Sequence, residues 1–396
     1  MRPLPVLALL SFSAGTAFSA DRPASELRGL WVVRTALVSP AEVDRVVDGA
    51  AEAGFNALFV QVRGRGDAFY DSRIVSRSLL LWQQPASFDP FARLLDRARG
   101  RGLEVHAWVN VLLTAHFAQP LPEGHVFRQR PDWVMVPKSA APAALRASPA
   151  GLTRIAGQAR GDADVEGQYL SPSAPGVHEH LEAVVRELVR SYPVDGLHLD
   201  FIRYPNQDYD YSPAALEAFR RLRGEGDLLG GPARNPLAWD DYRRSTVTTL
   251  ASRLSAAARS ERPGLVVSAA VVPDEAQAVS HRFQAWPRWL ADGLLDAVIP
   301  MAYTPDNRIF TAQVQQARAF VGGGQRLWAG IGAYRLDLPG IVEKIQLARA
   351  SGAGGVVLFS HESLGAADLR RLREAAFTPA VTPPGSRAAG GSVGAN

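Results

Sequence analysis

The 396-residue sequence predicts a (β/α)8 TIM barrel with a loop insertion after the third strand. Two observations carry this expectation. From residue 26 onward, short apolar runs alternate with longer stretches of helical spacing, and eight such pairs fit before residue 376. The runs are apolar almost throughout, as in parallel strands covered on both faces. An open doubly wound sheet would need a glycine-rich loop that opens a helix. Here Arg63-Gly-Arg-Gly-Asp67 leads into an aromatic segment instead.

The eight expected strands, in order, are residues 30–34 (LWVVR), 57–63 (ALFVQVR), 104–110 (EVHAWVN), 195–201 (DGLHLDF), 265–272 (LVVSAAVV), 296–303 (DAVIPMAY), 327–333 (LWAGIGA) and 355–360 (GVVLFS). Helical spacing marks residues 40–53, with Ser39 as the capping residue and Gly54 as the stop. It marks 89–100, 177–192, 213–223, 240–260, 283–292, 312–321, 340–350 and 366–375 as well. Residues 26–376 thus form one expected barrel, and residues 137–167, rich in Ala and Gly, form a surface insertion loop. Residues 378–396 are rich in Pro, Gly and Ser without periodicity and are expected to be a disordered tail.

Residues 1–20 carry Arg2, an apolar run from Leu4, and the small residues Ala17, Ser19 and Ala20. This is the layout of a secretory signal peptide, so the expected location is periplasmic or secreted. No stable membrane insertion is expected once the leader is removed. The net charge is +4, lysine occurs only at Lys138 and Lys344, and no basic run exists, so nothing points to a nucleic-acid partner. The absence of cysteine excludes disulfides, thiol catalysis and cysteine-ligated metals.

In a barrel of this kind chemistry gathers at the C-terminal ends of the strands. The first strand delivers Arg34 there, and the second delivers Gln61, Arg63, Asp67 and Tyr70. The third gives His106, Trp108 and Asn110, and the fourth gives His198, Asp200, Arg203 and Tyr204. Asp274, Glu275, Met301, Tyr303, Tyr334, Arg335, His361 and Glu362 follow from the last four. Amides, guanidiniums and carboxylates bind hydroxyls, and aromatic faces pack on C–H surfaces, so this rim suits a sugar polymer. Strand alternation sets His198 and Asp200 on the face opposite Leu197, Leu199 and Phe201, toward the barrel axis. Glycoside hydrolysis usually needs two carboxyl groups. Asp200 is the principal candidate, and Asp67, Asp274, Glu275 and Glu362 are candidates for its partner. His198 is expected as a buried support beneath Asp200. Two other functions fit the rim: a barrel that binds cell-wall glycan without cutting it, and a metal-dependent hydrolase using His198 and Asp200 with His106 or His361. No metal-ligand motif of the H-E-x-x-H type occurs, and the glycosidase reading needs no cofactor.

Several ordered blocks resemble the glycosyl hydrolase-like family 10, bacterial exported (β/α)8 barrels related to an enzyme that cuts peptide-free peptidoglycan glycan strands. The blocks are RGLWVV from Arg28, FVQVRGRGDAFYDS from Phe59, GLEVHAWVN from Gly102, VDGLHLDFIRYP from Val194 and DYRRSTV from Asp241. DAVIPMAY, GIGAY and VVLFSHESL fit the last three strands of the family, and the similarity spans about residues 26–375. The resemblance implies an exported glycoside hydrolase acting on an amino-sugar polymer, most plainly peptidoglycan glycan. It implies site roles for Asp67, Asn110, Asp200, Arg243 and Tyr303. With the rim residues, the expected site is then catalytic Asp200 and Asp67, with Gln61, Arg63, Trp108, Asn110, His198, Arg203, Tyr204, Arg243 and Tyr303 on the substrate. Phe201 stands where family members often carry a second Asp, and Ile202 stands where chitinase-like barrels carry a catalytic Glu.

Overall fold

The computed structural model describes residues 25–159, 165–224 and 226–378. The expected leader and residues 379–396 of the expected tail lie outside the described residues. Eight strands run parallel: β1 Leu27–Val32, β2 Ala57–Arg63, β3 Glu104–Asn110, β4 Gly196–Asp200, β5 Val266–Val271, β6 Ala297–Pro300, β7 Trp328–Gly332 and β8 Gly355–Phe359. Their order across the sheet is β6-β5-β4-β3-β2-β1-β8-β7. Two isolated parallel bridges, Val298 to Leu327 and Met301 to Gly330, join its ends and bring the sheet round into a nearly closed barrel.

Alternation along the strands sorts the core into two layers. Leu30, Val32, Leu58, Val60, Val62, Leu197 and Leu199 belong to the large outer cluster between strands and helices. Trp31, Phe59, Trp108, Ile299, Trp328 and Val357 fill the barrel interior. The interior is tight. A Cβ at Gly196 would lie 2.1 Å from His106 Nδ1, so only glycine lets the β4 backbone pass that ring.

Three departures from the expected elements have physical causes. β1 starts at Leu27, ahead of the expected 30, because the charged Glu26 and Arg28 are buried as an ion pair at 2.9 Å rather than left in a loop. The helix expected over 283–292 is shortened to Trp286–Ala291, since Phe283 sits at φ +55°, outside the right-handed region, and a separate short helix, Glu275–Ser280, precedes it. The expected surface loop over 137–167 contains the helices Ala141–Ala144 and Pro149–Ala156 and buries Ala144, Leu152 and Ile155. That excursion leaves β3 through Leu113–Ala115 and returns through Gln168–Tyr169, which pair antiparallel. It re-enters the barrel helix Val177–Ser191, and just before the return strand it presents Glu166.

Candidate active site

Asp200 is the last residue of β4 and is 6% exposed. Its two carboxylate oxygens have separate donors. Oδ2 accepts from Trp108 Nε1 at 3.1 Å, and Oδ1 accepts from the Phe201 N–H at 2.7 Å. The β3/β4 register sets Asn110 beside Asp200 and Trp108 beside His198. Immediately after the strand, Phe201 takes φ +50°, a left-handed conformation that is uncommon for a bulky residue. The turn brings the Arg203 guanidinium over the Phe201 ring, 4.8 Å from its centroid. Arg203 Nη2 then donates to Glu166 Oε1 at 3.0 Å, and the Tyr169 hydroxyl donates to the other Glu166 oxygen.

The two carboxyl groups are driven in opposite directions. Burial lifts Asp200 to about 6, the Arg203 charge and the Phe201 and Trp108 N–H groups pull it down, and the Glu166 charge adds to the lift. Partial burial also works against Glu166, but Arg203 and the Tyr169 hydroxyl hold it below the usual glutamate range. Arg203 is buried, which opposes its charge, yet Tyr169, Glu166 and Asp200 hold it firmly protonated. Above Asp200, Tyr303 stacks on Phe359 at 5.4 Å and meets Tyr334 edge-on at 6.1 Å. Tyr334 is 53% exposed. Burial, then the charge of Asp200, pushes the Tyr303 hydroxyl well above its ordinary range, so it stays protonated. Along the rim, Arg34 Nη1 donates to Gln61 Oε1 at 2.9 Å, Gln61 Nε2 to Asn110 Oδ1 at 3.4 Å, and Asn110 Nδ2 to the Gly64 carbonyl at 2.8 Å. This chain runs from the end of β1 to the neighbour of Asp200.

A family model described as glycosyl hydrolase-like 10 matches residues 26–341. The chain belongs to the glycosyl hydrolase-like 10 family. It is 26% identical over 345 residues to the glycosyl hydrolase DigH of Escherichia coli (strain K12), covering 78% of this chain and 69% of that protein. It is 24% identical over 282 residues to the glycosyl hydrolase YngK of Bacillus subtilis (strain 168), covering 66% of this chain and 48% of that protein. The PgaB (BpsB) glycoside hydrolase domain of Bordetella bronchiseptica shares the fold with a TM-score of 0.65 at 16% identity, over 89% of this chain and 99% of that one. The catalytic domain of a Paenibacillus polymyxa β-amylase does so with a TM-score of 0.58 at 13% identity, over 89% and 98%.

Within this glycosyl hydrolase-like 10 barrel, Asp200, Trp108, Arg203 and Tyr303 come together, and Gln61 and Asn110 form the rim chain beside them. The other expected site residues are placed differently. Asp67 accepts the Arg65 N–H at 2.8 Å and shapes the turn after β2, and the carboxylate that weighs most on Asp200 is Glu166. Arg63 is fully buried with its guanidinium on the Asn110 and Val111 carbonyls. His198 does not support Asp200 directly. It is fully buried, accepts from Trp31 Nε1 at 3.2 Å and bonds Ser268 Oγ at 3.0 Å, and burial keeps it neutral. Tyr204, expected at the substrate, is fully buried with its ring against Phe283. Arg243 is 2% exposed, bound to the Gln207 and Tyr209 carbonyls and Asp240, with its guanidinium 4.0 Å over Phe283. These four side chains offer no surface to a sugar. Asp274 caps the helix Glu275–Ser280, and Glu362 lines a separate hollow with Glu42 and His361. Among the described residues no three His, Asp or Glu side chains converge to hold a metal ion, which removes the ligand set of the metal-hydrolase alternative. Glu166 had no signal in the sequence beyond a carboxylate just before the apolar Tyr169-Leu170, inside an insertion without periodicity.

Proposed function

We propose that this chain is an exported glycoside hydrolase that cuts an amino-sugar polymer, the glycan strands of peptidoglycan. The carrying observation is the pair Asp200 and Glu166, one lifted to about 6 and the other held low at the same barrel mouth. Environments that push two carboxyl groups apart assign acid and base. Asp200 in its acid form donates its proton to the glycosidic oxygen as the bond to the anomeric carbon breaks. The Phe201 and Trp108 N–H groups then stabilise the carboxylate left behind. Ionised Glu166, oriented by Arg203 and Tyr169, takes a proton from the water whose oxygen bonds to the anomeric carbon as the glycosidic oxygen leaves, so the new reducing end carries that oxygen. Tyr334 and Tyr303 offer an aromatic wall to the sugar's C–H face. Export rests on the composition of residues 1–20, and the polymer rests on the motif resemblance. Among the described residues no helix is long and apolar enough to cross a membrane.

The test is release of new reducing ends from peptide-free glycan strands by the wild-type protein and by Asp200→Asn. Release by the wild type alone supports the reading. Strand binding without release by either protein would favour a barrel that holds glycan without cutting it.

A further inference from the structure

The loop between β2 and the helix Pro90–Gly100 carries an apolar tip that neither the core nor the proposed chemistry uses. Leu79–Leu81 form a single 3-10 turn. Ser78 caps it, its Oγ accepting the Leu80 N–H at 3.3 Å and its own N–H donating to the Ala68 carbonyl at 2.9 Å. Leu81 packs in the core and is 1% exposed. Its neighbours are left outside: Leu79 is 43% exposed, Leu80 47% and Trp82 76%. With three residues per turn, Leu79 and Trp82 stand on the same edge, and Leu80 flanks them. Of the eight tryptophans, the other seven are 6% exposed or less, so Trp82 is the one indole in contact with solvent.

The loop is closed behind the tip. Arg77 Nη1 donates to the Phe88 carbonyl at 2.9 Å, and Nη2 donates to the Pro85 carbonyl at 3.2 Å. Both acceptors are neutral, so this guanidinium brings an unmatched positive charge to the loop. From Ser72 to Phe88 the chain has Arg73 and Arg77 and no carboxylate. Arg73 lines a hollow with Asp71 and Glu187, which leaves Arg77 as the uncompensated cation. Around Trp82 the exposed residues Gln83, Pro85, Ala86 and Ser87 are uncharged. Two leucines and a tryptophan side by side in water cost free energy that burial would recover. A sugar would stack on the indole but gains nothing from the leucines. The surface of a bilayer takes all of them, the indole at the headgroup level, the leucines at the acyl boundary and the positive charge on anionic headgroups.

We propose that Leu79, Leu80 and Trp82 form a membrane-contact tip that enters the headgroup layer of an anionic phospholipid bilayer, with the charge of Arg77 drawing it to the lipid phosphates. The contact is peripheral and reversible and needs no spanning helix. It stands independently of the glycosidase reading. The loop leaves β2 at the mouth end of the barrel, so the contact holds the mouth toward the lipid surface.

The test uses the full chain with vesicles of phosphatidylcholine alone, and of phosphatidylcholine and phosphatidylglycerol in equal parts, each also made with brominated acyl chains. Bromine quenches only an indole that reaches the acyl boundary. Residues 1–20 contain no tryptophan, so a vesicle-bound leader leaves the emission unquenched. Wild type is expected to show a blue shift and quenching that Trp82→Phe lacks. Leu79→Ser combined with Leu80→Ser keeps the reporter and should weaken partition about tenfold. Anionic vesicles should bind about fivefold tighter than neutral ones, as one arginine near the surface provides, and salt should remove the difference. All three side chains are exposed, so the variants should melt with the wild type. Unquenched emission on both vesicles, partition unaltered by the leucine changes, or equal affinity for the two lipid mixtures would overturn the tip. If Trp82→Ala binds vesicles as wild type does but weakens glycan-strand binding in an Asp200→Asn background, the indole belongs to a sugar and the proposal fails. It fails equally if wild type is a dimer that Trp82→Ala turns into a monomer, since a second copy then covers the patch.

Discussion

Asp200 keeps its proton to about pH 6 because burial outweighs the N–H donors and the Arg203 charge, and because Glu166 adds to the lift. The group lies above its ordinary value of 3.8, so between those two pH values the folded protein binds more protons at this site than the unfolded chain. The site's stabilising contribution is complete below pH 3.8 and is lost as the pH rises through 6. The loss is about 2–3 kcal/mol for a shift of this size. Chemical unfolding of wild type and Asp200→Asn at a series of pH values checks this. The stability difference between the two should change by that amount from pH 4 to pH 7, in favour of the variant at the higher pH. A constant difference would mean that Asp200 titrates in the ordinary carboxylate range. Phe201 shows the same economy at one position. It accepts a left-handed backbone and serves as the platform on which Arg203 reaches Glu166.

β4 works as an element because its two faces have different neighbours. Leu197 and Leu199 pack outward, while His198 and Asp200 point inward, with the His198 ring locked between Trp31 and Ser268. Replacing His198 by Ala leaves the Trp31 N–H and the Ser268 hydroxyl unpaired in the barrel interior and opens a cavity. The expected cost is about 2–4 kcal/mol, read from the midpoint of urea unfolding. An unchanged midpoint would contradict the role of His198 as an interior strut. The period of the strands was legible in the sequence. β2 and β3 fall at the expected residues, because apolar runs bounded by Gly and polar residues leave little choice. β1 was not, because Glu26 and Arg28 read as loop residues until their partner across the barrel base is known. Asp200 was legible as the carboxylate ending an apolar strand. Glu166 was not, because its position depends on how the excursion after β3 folds back, and no spacing rule ties it to the end of that strand. Burial also hid in sequence: Tyr204 and Arg243 have the chemistry of sugar contacts, and only packing shows them enclosed.

Across the whole molecule, the base of the barrel holds the ends of the described chain together while the mouth is left for chemistry. Glu26, 2% exposed, bonds Arg28 Nε at 2.9 Å and Arg349 Nε at 2.6 Å, and Arg28 Nη1 reaches the Phe377 carbonyl after the last helix, Ala366–Ala376. Burial opposes the Glu26 charge, but Arg349 and Arg28 hold it below the usual glutamate range. Its contribution is therefore present above pH 4.5 and lost as the pH falls below it. Glu26→Ala leaves buried guanidiniums without a counter-charge and should cost about 3–5 kcal/mol at pH 7, with a smaller penalty in acid. A variant as stable as the wild type at pH 7 would contradict this role for Glu26. The same division of labour brings the charge of the excursion-borne Glu166 to bear on the strand-borne Asp200, and in the proposed mechanism these two act as one catalytic pair. The pairing is tested most directly by the rate of reducing-end release from peptide-free glycan strands by Glu166→Gln against wild type. The expected result is a loss of about a hundredfold or more at every pH, with strand binding retained. A Glu166→Gln protein that releases ends at the wild-type rate would contradict the pairing.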